Sequence, residues 1–223
     1  MNPHFAMLRQ AQVELEKLDE RFVFLGGATV SLHIDDPAAK PARATEDVDL
    51  VVEVAGYSEY SSLEARLREI GFFQSLEQKN GPICRWSKDS LVIDVMPTEP
   101  EILGFSHSKW FREGFEQARV FRLPTGESIE AFRPLHLMAA KIEAFEDRGN
   151  GDWLLSQDIE DIATILDGRR SIFEELSGAE KAATFVRHWL KKRGDGLPDF
   201  LAGHIGDYQR AEYLVTQLQS LGE

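Results

Sequence analysis

The stretch Arg43-Ala-Thr-Glu-Asp-Val-Asp-Leu-Val-Val-Glu53 places two carboxylates, Asp47 and Asp49, inside a run that otherwise reads as a buried strand. Side chains alternate faces along a strand, so Asp47 and Asp49 point one way while Val48, Leu50 and Val52 point the other. Asp is depleted in strands. Two like charges on one face raise each other's free energy unless one is protonated or a cation bridges them. A divalent metal held by hard oxygen ligands is one solution. Solvation at the start of an amphipathic edge strand is the other, and this stretch by itself leaves both open.

Upstream, Phe22-Val-Phe-Leu25 reads as a short buried strand that runs into Gly26-Gly27, followed by a helix opening over 28–33. Glycine lets backbone approach a ligand closely, and unpaired N–H groups at a helix start bind anions such as phosphate. The plainer reading is a tight strand-to-helix connection. Downstream, Leu91-Val-Ile-Asp-Val-Met96 is another apolar strand with one carboxylate, Asp94, in its middle. Burying that charge needs a partner. Either a metal shared with Asp47 and Asp49 or a salt bridge to an arginine such as Arg85 would supply it.

The remaining pattern places these strands in an α+β frame. Apolar spacing predicts helices over 5–20 and 58–70 and strands over 72–76 and 83–86, the last two joined by an Asn80-Gly81 turn. Short strands over 120–123 and 128–131 follow. From Pro134 the chain reads as helical, over 134–148, 156–166, 170–176, 179–192 and 208–221. The expected division is therefore 1–133, with a mixed sheet flanked by helices, and 134–223, a C-terminal helical bundle. On the helical side, Lys141 lies on a small, apolar face and either snorkels, pairs with Asp158, or reaches a ligand. Asp158 and Asp161 share a face of the next helix.

Composition sets outer limits. The 223 residues are 43% hydrophobic and 28% charged, ordinary for a globular protein able to bury a core. No apolar run approaches the roughly 20 residues that cross a bilayer. The opening Met1-Asn-Pro-His-Phe5 lacks a charged-then-apolar leader, so a cytoplasmic protein with no membrane partner is expected. The single cysteine, Cys84, is expected to be buried and inert. The net charge of −13 opposes indiscriminate adhesion to nucleic acid. One segment is locally basic: Arg169, Arg170, Lys181, Arg187, Lys191, Lys192 and Arg193 outnumber Glu174, Glu175 and Glu180. It reads as a solvated helix face or as a footprint for a phosphate backbone.

Taken in order, Gly26-Gly27, Arg43-x-Thr45-x-Asp47-Val-Asp49 and Asp94 resemble the pattern of the nucleotidyltransferase superfamily of the DNA polymerase β type. Lys141-Ile-Glu-Ala144, Arg148 and Gln157-Asp-Ile-Glu-Asp161 resemble a segment of the AbiEii-like toxin branch. Gln157 stands where that branch has Lys, and the turn is Gly-Gly rather than Gly-Ser. The resemblance covers most of residues 22 to 166. It implies a nucleotidyltransferase fold whose helical part completes the nucleotide site. It implies Mg²⁺ or Mn²⁺ on Asp47, Asp49 and Asp94, with an NTP as donor. Gly26, Gly27, Thr29, Arg43, Thr45, Lys141 and Asp158 would serve the nucleotide. For a toxin, the acceptor would be tRNA or another RNA and an antitoxin protein would be a partner. A related expectation is nucleotidylation of an aminoglycoside or lincosamide antibiotic. A non-enzymatic, degenerate nucleotide- or partner-binding module is the third, against which the intact aspartate triad argues.

Overall fold

The computed structural model describes residues 2–74, 83–104, 108–148 and 151–222. Its chain divides into two compact units, Met1–Thr29 with Ala44–Arg133, and Val30–Arg43 with Pro134–Glu223.

The first unit is built on a six-stranded mixed sheet. Its strands are β1 (Phe22–Leu25), β2 (Val48–Val52), β3 (Arg85–Lys88), β4 (Leu91–Pro97), β5 (Arg119–Arg122) and β6 (Ser128–Ala131), in the order β3-β4-β2-β1-β6-β5. The most apolar strands are central: every residue of β1 is buried, as are Val48, Leu50, Val51 and Val52 of β2. β1 runs antiparallel to β2, and β2 runs parallel to β4. A parallel pair needs a crossover, and helix α2 (Tyr57–Glu69) lies within it, burying Tyr60, Leu63 and Leu67. Tyr60 donates its hydroxyl to the Val95 carbonyl at 2.8 Å, which satisfies a buried polar group on the sheet. Helix α1 (Pro3–Leu15) starts where the Asn2 side chain accepts the His4 N–H and Pro3 takes the first turn, and it buries Leu8, Ala11 and Leu15. Helix α3 (Trp110–Glu116) lies so close to Phe132 that a Cβ at Gly114 would stand 2.5 Å from the ring.

Two local expectations change. The helix opening after Gly26-Gly27 is a 3₁₀ turn, Gly27–Leu32. Both the N–H and the hydroxyl of Thr29 donate to the Gly26 carbonyl, at 3.2 and 2.8 Å, which fixes the tighter turn. The strand expected over 83–86 is shifted to Arg85–Lys88, and of the strand expected over 72–76 the described residues 72–74 carry an isolated bridge between Phe73 and Ser87, 75–76 lying outside the described residues. The Asn80-Gly81 turn lies outside the described residues.

The second unit is helical: α4 (Pro134–Asp147), α5 (Gln157–Gly168), α6 (Ile172–Leu176), α7 (Lys181–Lys191), α8 (Leu197–Ile205) and α9 (Tyr208–Ser220). Helix α8 was not anticipated. Pro198 in its first turn and Gly206, left-handed at φ 81°, just past its end are the start and stop that marked it. The segment before Arg43 is stitched to the end of α5, where the N–H groups of Asp35 and Asp36 both donate to the Gly168 carbonyl at 2.9 Å. A Cβ at Gly168 would meet Ile34 at 2.9 Å. Arg210 of α9 ties Asp36 at 2.7 Å and also Asp167. An aromatic cluster fills the other end. Trp153 stacks on Trp189 with centroids 4.8 Å apart, and Arg193 lies 4.4 Å over each ring. No described helix is long and apolar enough to cross a membrane.

Two stability measurements check this account. Leu50→Ala, at a position with no exposure, lowers the unfolding free energy in urea by about 2–5 kcal/mol. Leu155→Ala, at an exposed position, leaves it within about 0.5 kcal/mol. His33 of the second unit is fully buried; desolvation first and Arg169 second push its pKa from 6.5 down to about 3. The unfolded chain therefore takes up a proton below 6.5 that the folded chain refuses until about 3. Stability falls as pH drops through that window, and His33→Gln flattens the slope in acid-unfolding curves.

Candidate active site

The first unit carries a row of charges across three adjacent strands. In the β2–β4 register Asp49 lies directly opposite Asp94, and in the β3–β4 register Arg85 lies directly opposite Asp94. Asp47 sits one residue before β2, on the same side as Asp49. Arg85 is fork-bound to Asp94, Nε to Oδ1 at 2.8 Å and Nη2 to Oδ2 at 2.6 Å, and Nη2 also reaches Asp47 Oδ2 at 2.6 Å. Thr45 donates its hydroxyl to the other Asp47 oxygen at 3.0 Å. The Asp94 hydrogen bonds, with its charge and those of Asp47 and Asp49, hold the guanidinium pKa above its ordinary value. Arg85 is thus the partner that Asp94 takes, and it serves Asp47 as well.

Asp49 faces the glycine turn. Leu25 and Asp49 are register partners at the end of β1, and Gly26, at φ 76°, follows. A Cβ at Gly26 would fall 1.8 Å from Asp49 Oδ2, so the absence of a side chain there is what leaves the carboxylate its space. Gly27 and Thr29 continue into the 3₁₀ turn, where the Thr29 hydroxyl is spent on the Gly26 carbonyl. Cys84 is buried beside this row. Desolvation, then Asp94 and Asp49, push its thiol up to about 12, which disfavours the thiolate.

Among the described residues no group of three or more His, Cys, Asp or Glu side chains is gathered as a metal site. The Arg85 guanidinium is bound to both Asp47 and Asp94, at 2.6 Å from each. The donor set nonetheless fits a divalent cation. It consists of hard carboxylate oxygens, and two of the acids, Asp49 and Asp94, are direct register partners on paired strands.

The second unit holds a separate cluster. Lys141 of α4 is buried, with Nζ 2.5 Å from Asp161 Oδ2 and 3.5 Å from Asp158 Oδ1, both on α5. Arg43 reaches Asp161 at 3.1 and 3.3 Å, and Arg148 reaches Asp158 at 2.8 Å from a largely exposed side chain. Asp158 lies in the first turn of α5, capped by Ser156. Asp161, with no exposure, takes the shorter of the two contacts with Lys141.

The predicted residues thus fall into two sets. Gly26, Gly27, Thr29, Thr45, Asp47, Asp49 and Asp94 belong to the first unit, and Arg43, Lys141 and Asp158 to the second. The pairing of Arg85 with Asp94 is one of the two partners the sequence offers, and a turn at Asp89-Ser90 sets the two opposite each other; the further bond of Arg85 to Asp47 is not legible in the sequence. The basic segment is largely spent inside its own unit. Arg169 pairs with Glu175 at 2.7 Å, Arg187 caps the Leu176 carbonyl, Lys191 the Leu221 carbonyl, and Arg193 pairs with Glu146 at 2.6 Å.

No protein-family model and no curated protein matches this sequence. Solved structures do. An antigenic nucleotidyltransferase-like protein from Paracoccidioides brasiliensis is similar at a TM-score of 0.50 and 18% identity, over 91% of this chain and 93% of that one. The antibiotic-resistance factor ANT(2'')-Ia in solution is similar at 0.48 and 13%, over 85% and 92% of the two chains. ANT(2'')-Ia in complex with adenylyl-2''-tobramycin is similar at 0.45 and 13%, over 86% and 100%. The fold, a mixed six-stranded sheet flanked by helices, is therefore nucleotidyltransferase-like.

Asp161→Ala leaves Lys141 and Arg43 facing each other without their shared carboxylate. It is expected to cost about 3–5 kcal/mol of unfolding free energy in urea, the scale of a broken buried pair.

Proposed function

We propose that this protein transfers a nucleoside monophosphate from an NTP to a hydroxyl acceptor: the acceptor oxygen bonds to the α-phosphorus, the α–β phosphoanhydride bond breaks and pyrophosphate leaves. The observation that carries the proposal is the juxtaposition of Asp49 and Asp94 on paired strands, with Asp49 facing the side-chain-free turn at Gly26. Asp47, Asp49 and Asp94 would hold Mg²⁺ or Mn²⁺. Bound there, the ion supplies charge neutralisation to the triphosphate and makes its α-phosphorus more electrophilic.

The chain's own groups take the other roles. Asp94, buried and beside Asp49, accepts the proton of the attacking hydroxyl. The Gly26-Gly27 backbone lets a phosphate approach without a side chain in the way. Thr45 orients Asp47 through its hydroxyl. Lys141 acts as a point charge toward phosphate, and Asp158 and Asp161 hold its ammonium in place. Arg148, largely exposed at its tip, is a second phosphate ligand of the same unit. Arg43 steadies Asp161 in the same cluster.

For the acceptor, the resemblance points to an RNA end, with an antitoxin protein as the toxin's partner. Charge favours a second reading. The net charge is −13, and five of the seven cations in the basic segment (Arg169, Arg170, Arg187, Lys191 and Arg193) are tied to internal acids or carbonyls. A small, cationic, hydroxylated molecule is attracted by such a surface, whereas a phosphate backbone is repelled.

With Mg²⁺ and α-labelled NTPs, the protein is expected to label an acceptor in a cell extract. Asp49→Asn should reduce that labelling by about a thousandfold, the scale of several kcal/mol of lost charge stabilisation. Labelling that persists in the variant contradicts the proposal. Labelled product that survives nuclease identifies the small-molecule acceptor, and product lost to nuclease identifies RNA.

A further inference from the structure

We propose that Arg85 is a latch on the carboxylate row: in the nucleotide-free protein it takes the oxygens that a divalent cation needs, and it releases them when a triphosphate offers its guanidinium another anion. The proposal rests on the reading of Asp47, Asp49 and Asp94 as a metal site given above.

The geometry argues for a latch rather than a lasting structural bridge. Arg85, Asp94 and Asp49 form one row across β3, β4 and β2, so the pairing of the strands brings the arginine within reach of the acids. Its fork fills both oxygens of Asp94 and one of Asp47, and Thr45 takes the remaining oxygen of Asp47. A divalent ion on those oxygens would meet the guanidinium at close range, and like charges there exclude one another. One of the two cations must leave. Arg85 has the means, since a quarter of its side chain reaches solvent while that of Asp94 is 9% exposed. The guanidinium is planar, always charged and matched to phosphate as well as to carboxylate, so a triphosphate gives it an equivalent partner. Displacement then links the two ligands: nucleotide draws Arg85 off the acids, and the freed acids take the metal. The coupling is reciprocal. Arg85 is in this sense a positioning residue. It makes the metal site form when substrate is present and keeps two buried-side carboxylates neutralised when it is absent.

The test is Mn²⁺ binding to the full chain without nucleotide, read from the loss of the free-ion signal in electron paramagnetic resonance. Arg85→Gln is expected to bind Mn²⁺ about tenfold or more tightly than the wild type, because a closed latch lowers apparent affinity by the fraction of open state. Adding Asp49→Asn to that variant should abolish the gain. Mn²⁺ should also raise the melting temperature of Arg85→Gln more than that of the wild type. Should Arg85→Gln fail to fold, Arg85→Lys keeps the charge but loses the fork and should show a smaller gain of the same sign. Equal Mn²⁺ affinity in wild type and both variants, with Mg²⁺-dependent transfer intact in the wild type, overturns the latch and leaves the metal reading standing. Absence of Mn²⁺ binding in all of them, with no transfer, overturns both.

Discussion

Like charges set side by side on a paired strand are the constraint around which the first unit is arranged. Asp49 and Asp94 are direct register partners on β2 and β4, and Asp47 joins them from the strand's entrance. Three features answer that constraint. Arg85 arrives from β3 to neutralise Asp94 and Asp47, Thr45 satisfies the last oxygen of Asp47, and Gly26 withdraws its side chain so that Asp49 has room. The opposite faces of β2 and β4 are wholly apolar and buried at Val48, Leu50, Ile93 and Val95. The sheet thus fixes the acids rigidly by burying the residues between them.

The second unit repeats the logic with the sign reversed. Asp158 and Asp161 are buried carboxylates, but Lys141, Arg43 and Arg148 outnumber them. Buried ion pairs seldom stabilise a fold more than apolar packing would. Two such clusters in one small chain are better explained by chemistry that uses them.

Much of this was legible in the sequence. The apolar run at 22–25, and the runs within 43–53 and over 91–96 with their interrupting acids, mark the central strands, because period-two alternation and burial leave little choice. The glycine turn was legible as a place of close approach, though not its tight 3₁₀ form, which depends on Thr29 bonding back to Gly26. What was hidden depends on pairing between distant segments. Arg85 could be read as a salt-bridge partner for Asp94, but its bond to Asp47 needs three strands in register at once. The basic segment looked available on a linear count. Only the folded bundle shows Arg187 and Lys191 spent on helix-end carbonyls and Arg193 lying over Trp153 and Trp189. Helix α8 was missed because its apolar face is brief and its marks are only Pro198 and Gly206.

The central claim is that the row on β2 and β4 is a divalent-cation site serving a nucleotide. It is tested most directly by anomalous scattering from crystals grown with Mn²⁺ and a non-hydrolysable NTP. The account predicts a manganese peak coordinated by Asp49 and Asp94, with Arg85 turned away from both acids. Nucleotide bound with no manganese on those carboxylates, and Arg85 still forked to Asp94, would contradict it.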